Sequence, residues 1–124
     1  MSNNYNSNDG FRPGFWGPPL WFFLHCISFN YPVKPTRTEK QSYFDFIHTL
    51  PYVLPCRLCR EHLEIEIAYN FTFDVMKNRE SFSKWMHQLH NSINKKLNKK
   101  EHRYEHVRDV YETYRHKDKD ETGL

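Results

Sequence analysis

An all-α fold, a four-helix bundle with a short fifth helix, is predicted by three observations. Apolar residues recur at three and four along five segments, proline and N-cap residues punctuate the gaps between them, and there is almost no strand signal and no βαβ pattern. At 124 residues the chain has the length of one domain with a core of moderate size.

The first helix runs from Phe15 to Asn30 on Leu20, Phe23, Leu24 and Ile27, with Pro18 and Pro19 expected in its tolerant first turn. YPVKPT, residues 31 to 36, is irregular because Pro32 and Pro35 remove donors and push the preceding residues to extended geometry. Thr36 or Thr38 then caps a second helix through Tyr43, Phe44, Phe46, Ile47 and Leu50, ending near Pro51. Pro55 heads a third, carrying Cys56, Cys59, Leu63, Ile67 and Ala68. Residues 70 to 79 form a loop with a short turn. A fourth helix opens at Glu80 or Ser81 and runs through Trp85, Leu89, Ile93 and Leu97. The last, from about Arg103 to Arg115, aligns Tyr104, Val107, Val110, Tyr111 and Tyr114. Residues 1 to 12, rich in Asn and Ser, are expected to be a disordered lead, residues 13 to 116 the domain, and residues 117 to 124 a charged tail.

Composition narrows the function classes. Aromatic residues make up 17% of the chain, which suits packing around a flat ligand as well as an aromatic core. The formal charge is +3, with basic residues concentrated between Lys95 and Lys119, a distribution that favours a local anion site over a nucleic-acid surface. The lead lacks the apolar region of a secretory signal and no stretch approaches the roughly 20 apolar residues of a membrane span, so neither export nor a membrane role is expected. Three cysteines, Cys26, Cys56 and Cys59, exclude a disulfide scaffold.

The segment LPYVLPCRLCREHL, residues 50 to 63, carries the chemistry. In the first turn of a helix, unpaired N–H groups and the dipole stabilise a thiolate, so a cysteine there is expected to have a depressed pKa and to exchange with disulfides. Cys56 and Cys59 at i and i+3 lie on one face, within bonding reach. Two other readings stay open on spacing alone: a Cys2His2 zinc site using Cys56, Cys59, His62 and His87 or His90, or two ordinary reduced cysteines. A second cluster is KWMHQLHNSINKKLNKK, residues 84 to 100. His90, Asn94 and Leu97 share one side of that helix with Asn91 and Lys95 beside them; such groups can bond adenine or ribose, and Lys96, Lys99 and Lys100 can meet a pyrophosphate. Each alone also suits a solvated face. In FWGPPLWFFLHC, residues 15 to 26, Trp21 and His25 stand one turn apart and could clamp a ring system, although each alone is more often core.

Together these elements resemble the FAD-linked sulfhydryl oxidases of the Erv/ALR type. That family has Trp-x-x-x-His on its first helix, a Tyr-Pro-x-x-Pro-Thr-like turn, Pro-Cys-x-x-Cys opening the third, and His-Asn-x-Val-Asn-x-x-Leu-x-Lys on the fourth. This chain has Trp21 to His25, YPVKPT, PCRLC and HNSINKKLNK in the same order, over about residues 14 to 112. The resemblance implies a helical bundle built around FAD and a homodimer, with Cys56 and Cys59 the redox disulfide. Cys56 would be the sulfur attacked by an incoming thiolate and Cys59 the one beside the isoalloxazine. Trp21, His25, His90, Asn91, Ile93, Asn94, Lys96 and Lys99 would hold the FAD, with Gly17 permitting close approach and Tyr111 near the adenine end. Electrons would pass from a protein dithiol to the pair, to the flavin, and to O2 as hydrogen peroxide.

Departures from the pattern also carry expectations. The structural disulfide common in cellular members falls at His87 and Tyr104 here, and no second shuttle pair is present. The chain is therefore expected to oxidise its partner directly at Cys56 or through a separate thiol relay protein. This compact form resembles the versions of large cytoplasmic DNA viruses, implying host cytoplasm or virion, with the mitochondrial intermembrane space as the alternative. Cys26 is expected to be buried and inert.

Overall fold

A computed structural model describes residues 4 to 116 and contains five α-helices: α1 (Pro13–Asn30), α2 (Arg37–Val53), α3 (Arg57–Asn70), α4 (Arg79–Lys96) and α5 (Tyr104–Glu112). A 3₁₀ turn, Phe73–Lys77, stands between α3 and α4. Among the described residues, extended pairing is limited to a single isolated bridge. α1 packs chiefly on α4 and α2 on α3, with α5 closing against α1 and α4. The charged tail, residues 117 to 124, lies outside the described residues.

Helix ends follow local chemistry where a cap is available. Thr36 forms a capping box with Glu39: its hydroxyl accepts from the Glu39 N–H at 3.1 Å and its own N–H donates to Glu39 Oε1 at 2.9 Å. Asn78 caps α4 by accepting from the Ser81 N–H at 2.8 Å, so that helix starts earlier than the serine signal implies.

The prolines depart from expectation in two helices. α1 begins at Pro13, the position that needs no N–H, so Pro18 and Pro19 lie inside it rather than in its first turn. Pro51 likewise sits inside α2, which continues to Val53. Pro51 is buried, so packing offsets the local cost of its missing hydrogen bond, whereas Pro18 and Pro19 are exposed.

The core gathers Leu24, Ile47, Leu50, Leu63, Ile67, Met76, Phe82, Trp85, Met86 and Leu89 around the wholly buried Tyr31. Tyr31 reaches that depth because its hydroxyl donates to the Met76 carbonyl at 2.6 Å, while its own carbonyl accepts from Arg79 Nε at 2.6 Å. The YPVKPT turn is thereby tied to the start of α4. His87 and Tyr104 do face each other, their rings edge to face with centroids 5.7 Å apart, and Ser83 Oγ lies 2.7 Å from the Tyr104 hydroxyl. Aromatic packing and a hydrogen bond join α4 to α5 where the resemblance places a disulfide.

One expectation fails on exposure. Cys26 is exposed, not buried, because α1 is apolar on all sides and turns Phe15, Phe22, Phe23 and Cys26 outward. The lead is not free along its whole length: Gly10 pairs with Cys56, and the Phe11 N–H donates to the Pro55 carbonyl at 2.7 Å. Composition could not show this, since main-chain pairing requires no apolar side chain.

Candidate active site

α3 starts with Cys56 as its N-cap. The Cys56 sulfur accepts from the Cys59 N–H at 3.3 Å, so both cysteines stand in the opening turn, as their spacing predicts. The two differ in surroundings. Both are partly exposed, but Cys59 lines a cleft of about 720 Å³ bounded by α1, the ends of α2 and α3, α4 and α5, and Cys56 is not among the residues lining it.

The expected thiolate advantage does not hold for Cys59. Its thiol is pushed up to about 12, first by burial and then by the hydrogen bond and charge of Cys56; the helix-end N–H and Arg60 act in the opposite direction but are outweighed. Dipole arguments from sequence omit this desolvation.

The cleft floor is aromatic. Trp21 and His90 stack with centroids 3.9 Å apart and planes 6° from parallel. His25 does not line the cleft; it is buried behind His90, its Nε2 2.8 Å from His90 Nδ1. Burial is the main reason that both rings lose their protons easily, His25 being lowered to about 3 and His90 to about 4. His25 Nδ1 is buried without a partner. An orphaned buried N–H is rarer than an under-used acceptor, which assigns the His25 proton to Nε2, donating to His90 Nδ1. The neutral His90 ring then carries its proton on Nε2, a donor available to a ligand.

These shifts predict an acid-labile fold. Above pH 6.5 both states are neutral at these rings; below it the unfolded chain takes up protons that the folded rings refuse, so stability falls as pH drops. Between pH 6.5 and pH 5, His25 alone removes about 2 kcal/mol, with His90 adding in the same direction. Denaturant midpoints at the two pH values test this, and a midpoint unchanged by acidification would refute the neutral pair.

Of the residues expected at the site, Gly17, Trp21, Cys59, His90, Ile93, Asn94, Lys99 and Tyr111 line the cleft. A Cβ placed on Gly17 would meet nothing within 4 Å, so the main chain there adjoins open space. Three others serve different ends. His25 orients His90. Asn91 is spent on the chain itself: it donates to the His102 carbonyl at 2.8 Å, accepts from the His102 N–H at 3.0 Å, and lies 3.0 Å from His87 Nε2. Lys96 turns to the α3 side, pairing with Glu66 at 2.9 Å.

Sequence reasoning missed His102 as a wall residue. The segment after α4 folds back over the cleft because Asn91 grips His102 and the Asn94 side chain donates to the Lys100 carbonyl at 3.2 Å. One local signal marks the turn: Asn98, at φ 55°, adopts the left-handed conformation that asparagine tolerates.

The zinc reading finds no support. Among the described residues no group of three or more His, Cys, Asp or Glu is placed to hold a metal ion. His90 is committed to His25 and His87 to Asn91, so neither joins Cys56, Cys59 and His62 as a fourth ligand. What the cleft does fit is a large flat molecule with an anionic portion: a stacked aromatic floor, aliphatic walls from Leu24, Leu54 and Leu63, a His90 donor, and Lys99 and Lys100 at one side.

Comparison with known proteins agrees with this geometry. A mimivirus protein, "Probable FAD-linked sulfhydryl oxidase R368", is 37% identical over 92 residues, covering 71% of this chain and 62% of that one. The African swine fever virus (isolate Pig/Kenya/KEN-50/1950) "FAD-linked sulfhydryl oxidase" is 32% identical over 97 residues, covering 78% of this chain and 80% of its own. "FAD-linked sulfhydryl oxidase ERV1" of Arabidopsis thaliana is 34% identical over 83 residues, 67% of this chain but 42% of the plant protein. The chain thus spans less than two thirds of the mimivirus and plant relatives. The crystal structure of the FAD binding domain of Erv1 from Saccharomyces cerevisiae superposes with a TM-score of 0.79 at 25% identity, over 86% of this chain and 99% of that one. The model of the Erv1 / Alr family matches residues 18–115, and the chain belongs to that family.

Proposed function

We propose that the chain is an FAD-dependent thiol oxidase that forms disulfides in protein substrates, with Cys56 and Cys59 as its redox pair. The observation that carries this reading is the difference between the two sulfurs: Cys59 lines the cleft that fits a flat anionic cofactor, while Cys56, one helical turn away and partly exposed, does not. The relatives' names and the family match support the same chemistry.

In this reading a client thiolate attacks Cys56 Sγ of the Cys56–Cys59 disulfide, forming a mixed disulfide and releasing Cys59 sulfur. The client's second thiolate then attacks its own sulfur in that mixed disulfide and expels Cys56, so two electrons have moved from the client to the pair. While Cys56 is bonded to the client, its contribution to the high proton affinity of Cys59 is absent, which eases release of the Cys59 sulfur. Bound FAD would supply two-electron acceptance from the reduced pair and reoxidation by O2, with hydrogen peroxide as product. Trp21 and His90 would give the ring system a flat support, the His90 Nε2–H a donor, and Lys99 with Lys100 charge for the pyrophosphate. Lys96, committed to Glu66, and Asn91, committed to His102, would act by fixing the walls. Homodimerisation is part of the proposal, supported by the outward apolar face of α1, where Phe15, Phe22 and Phe23 are 79%, 64% and 58% exposed. The viral relatives support a host-cytoplasm or virion setting; the mitochondrial intermembrane space is the alternative, supported by the name of a Saccharomyces cerevisiae relative, "Mitochondrial FAD-linked sulfhydryl oxidase ERV1", 32% identical over 83 residues.

One preparation tests the reading. The purified protein is expected to be yellow with a flavin spectrum, to consume oxygen with dithiothreitol while producing peroxide, and to sediment as a dimer. A colourless protein that reconstitutes with no flavin would overturn it.

A further inference from the structure

Residues 10 and 11 lie extended against the main chain that leads into the redox pair. Gly10 forms an antiparallel bridge with Cys56, the Phe11 N–H donates to the Pro55 carbonyl at 2.7 Å, and the Phe11 carbonyl accepts from Trp16 Nε1 at 2.9 Å. Gly10 has φ 84°, and a Cβ there would stand 2.1 Å from the Pro55 oxygen, so this approach requires glycine. The contact has little side-chain content, since Phe11 is 69% exposed. It is main-chain pairing, a mode that reads extended conformation more than sequence. The same edge is flanked in sequence by apolar side chains left in water: Tyr52 and Val53 at the end of α2 and Leu58 in the first turn of α3 are 69%, 72% and 59% exposed. Exposed apolar groups beside a main-chain acceptor suit an unfolded polypeptide, which carries both extended backbone and exposed apolar side chains.

We propose that the Pro55–Cys56 edge is the docking strand for a client polypeptide and that residues 10 and 11 are its internal competitor. An extended client segment bearing the dithiol takes the Pro55 carbonyl as Phe11 does, and the chain's own strand, tethered and therefore at high local concentration, holds the edge until it is displaced. A small dithiol attacks Cys56 without main-chain pairing and does not compete with it. The inference rests on the thiol-oxidase reading for its biological sense, while the docking itself does not depend on turnover.

Two full-length variants free the edge by different means. Gly10→Ala sets a Cβ against the Pro55 oxygen, and Phe11→Pro deletes the donating N–H. The probes are a short unstructured peptide with two cysteines and the same peptide with serines in their place. In both variants the kcat/KM for the cysteine peptide is expected to rise about threefold or more, the factor by which one net main-chain hydrogen bond holds the strand in place. Dithiothreitol turnover stays unchanged, and the serine peptide, followed by fluorescence anisotropy, binds tighter by the same factor. Should Gly10→Ala fail to fold, Phe11→Pro decides alone, since it leaves Gly10 itself in place. Unchanged or weaker peptide binding in the folded variants overturns the docking edge. Tighter serine-peptide binding by a protein that oxidises no dithiol would sustain the edge and refute the oxidase reading instead.

Discussion

Cys59→Ser is expected to lower dithiol-dependent oxygen uptake by about a thousandfold or more while the protein still binds FAD, because the substitution removes the covalent route and leaves the cleft nearly unchanged in volume. Cys59 is one residue among many on the cleft wall, and the stacked Trp21 and His90 floor does not involve it. Stopped-flow spectra separate the steps: with excess dithiothreitol the variant's flavin should stay oxidised over many wild-type turnovers. Rapid bleaching would show that electrons reach the flavin without the pair, and the assigned roles of Cys56 and Cys59 would fail.

The largest stability effect is expected at Phe82, where truncation to alanine should cost about 3 to 5 kcal/mol. Its side chain is wholly buried, edge-on to Tyr31 with centroids 5.1 Å apart and to Tyr43 at 6.1 Å. Tyr31 in turn fixes the loop before α2 and the start of α4 through its hydroxyl and carbonyl, so the cavity opens where three segments meet. Neighbours tied by hydrogen bonds cannot collapse into the space, which puts the cost at the upper end of the range. Denaturant unfolding at a fixed FAD concentration measures it, since bound ligand adds its own stabilisation. A loss below about 1 kcal/mol would mean that the aromatic cluster repacks.

Much of the site is legible in the sequence because its signals are local. Cys56 and Cys59 are three apart, Trp21 and His25 four, His90 and Asn94 four, and helical spacing alone puts each pair on one face. The failures share a different cause. Pro51 looks out of place by what an isolated helix tolerates, whereas packing buries it inside α2. Lys96 and Lys99 look alike in a lysine-rich stretch; only Glu66, thirty residues away on α3, draws the first out of the cleft.

By itself, then, the amino-acid order determined the five helices, the opening-turn position of the cysteine pair and the family pattern, since caps, periodicity and short spacings act over one or two turns. Tertiary structure decided which polar groups the cleft receives: His25 was set behind His90, Asn91 was given to His102, and the Cys59 thiol was desolvated until burial outweighed the helix end. It also brought Gly10 to Cys56 from the far side of two helices in the chain order. Desolvation and through-space pairing depend on every neighbour at once, and those neighbours are assembled only when the helices pack.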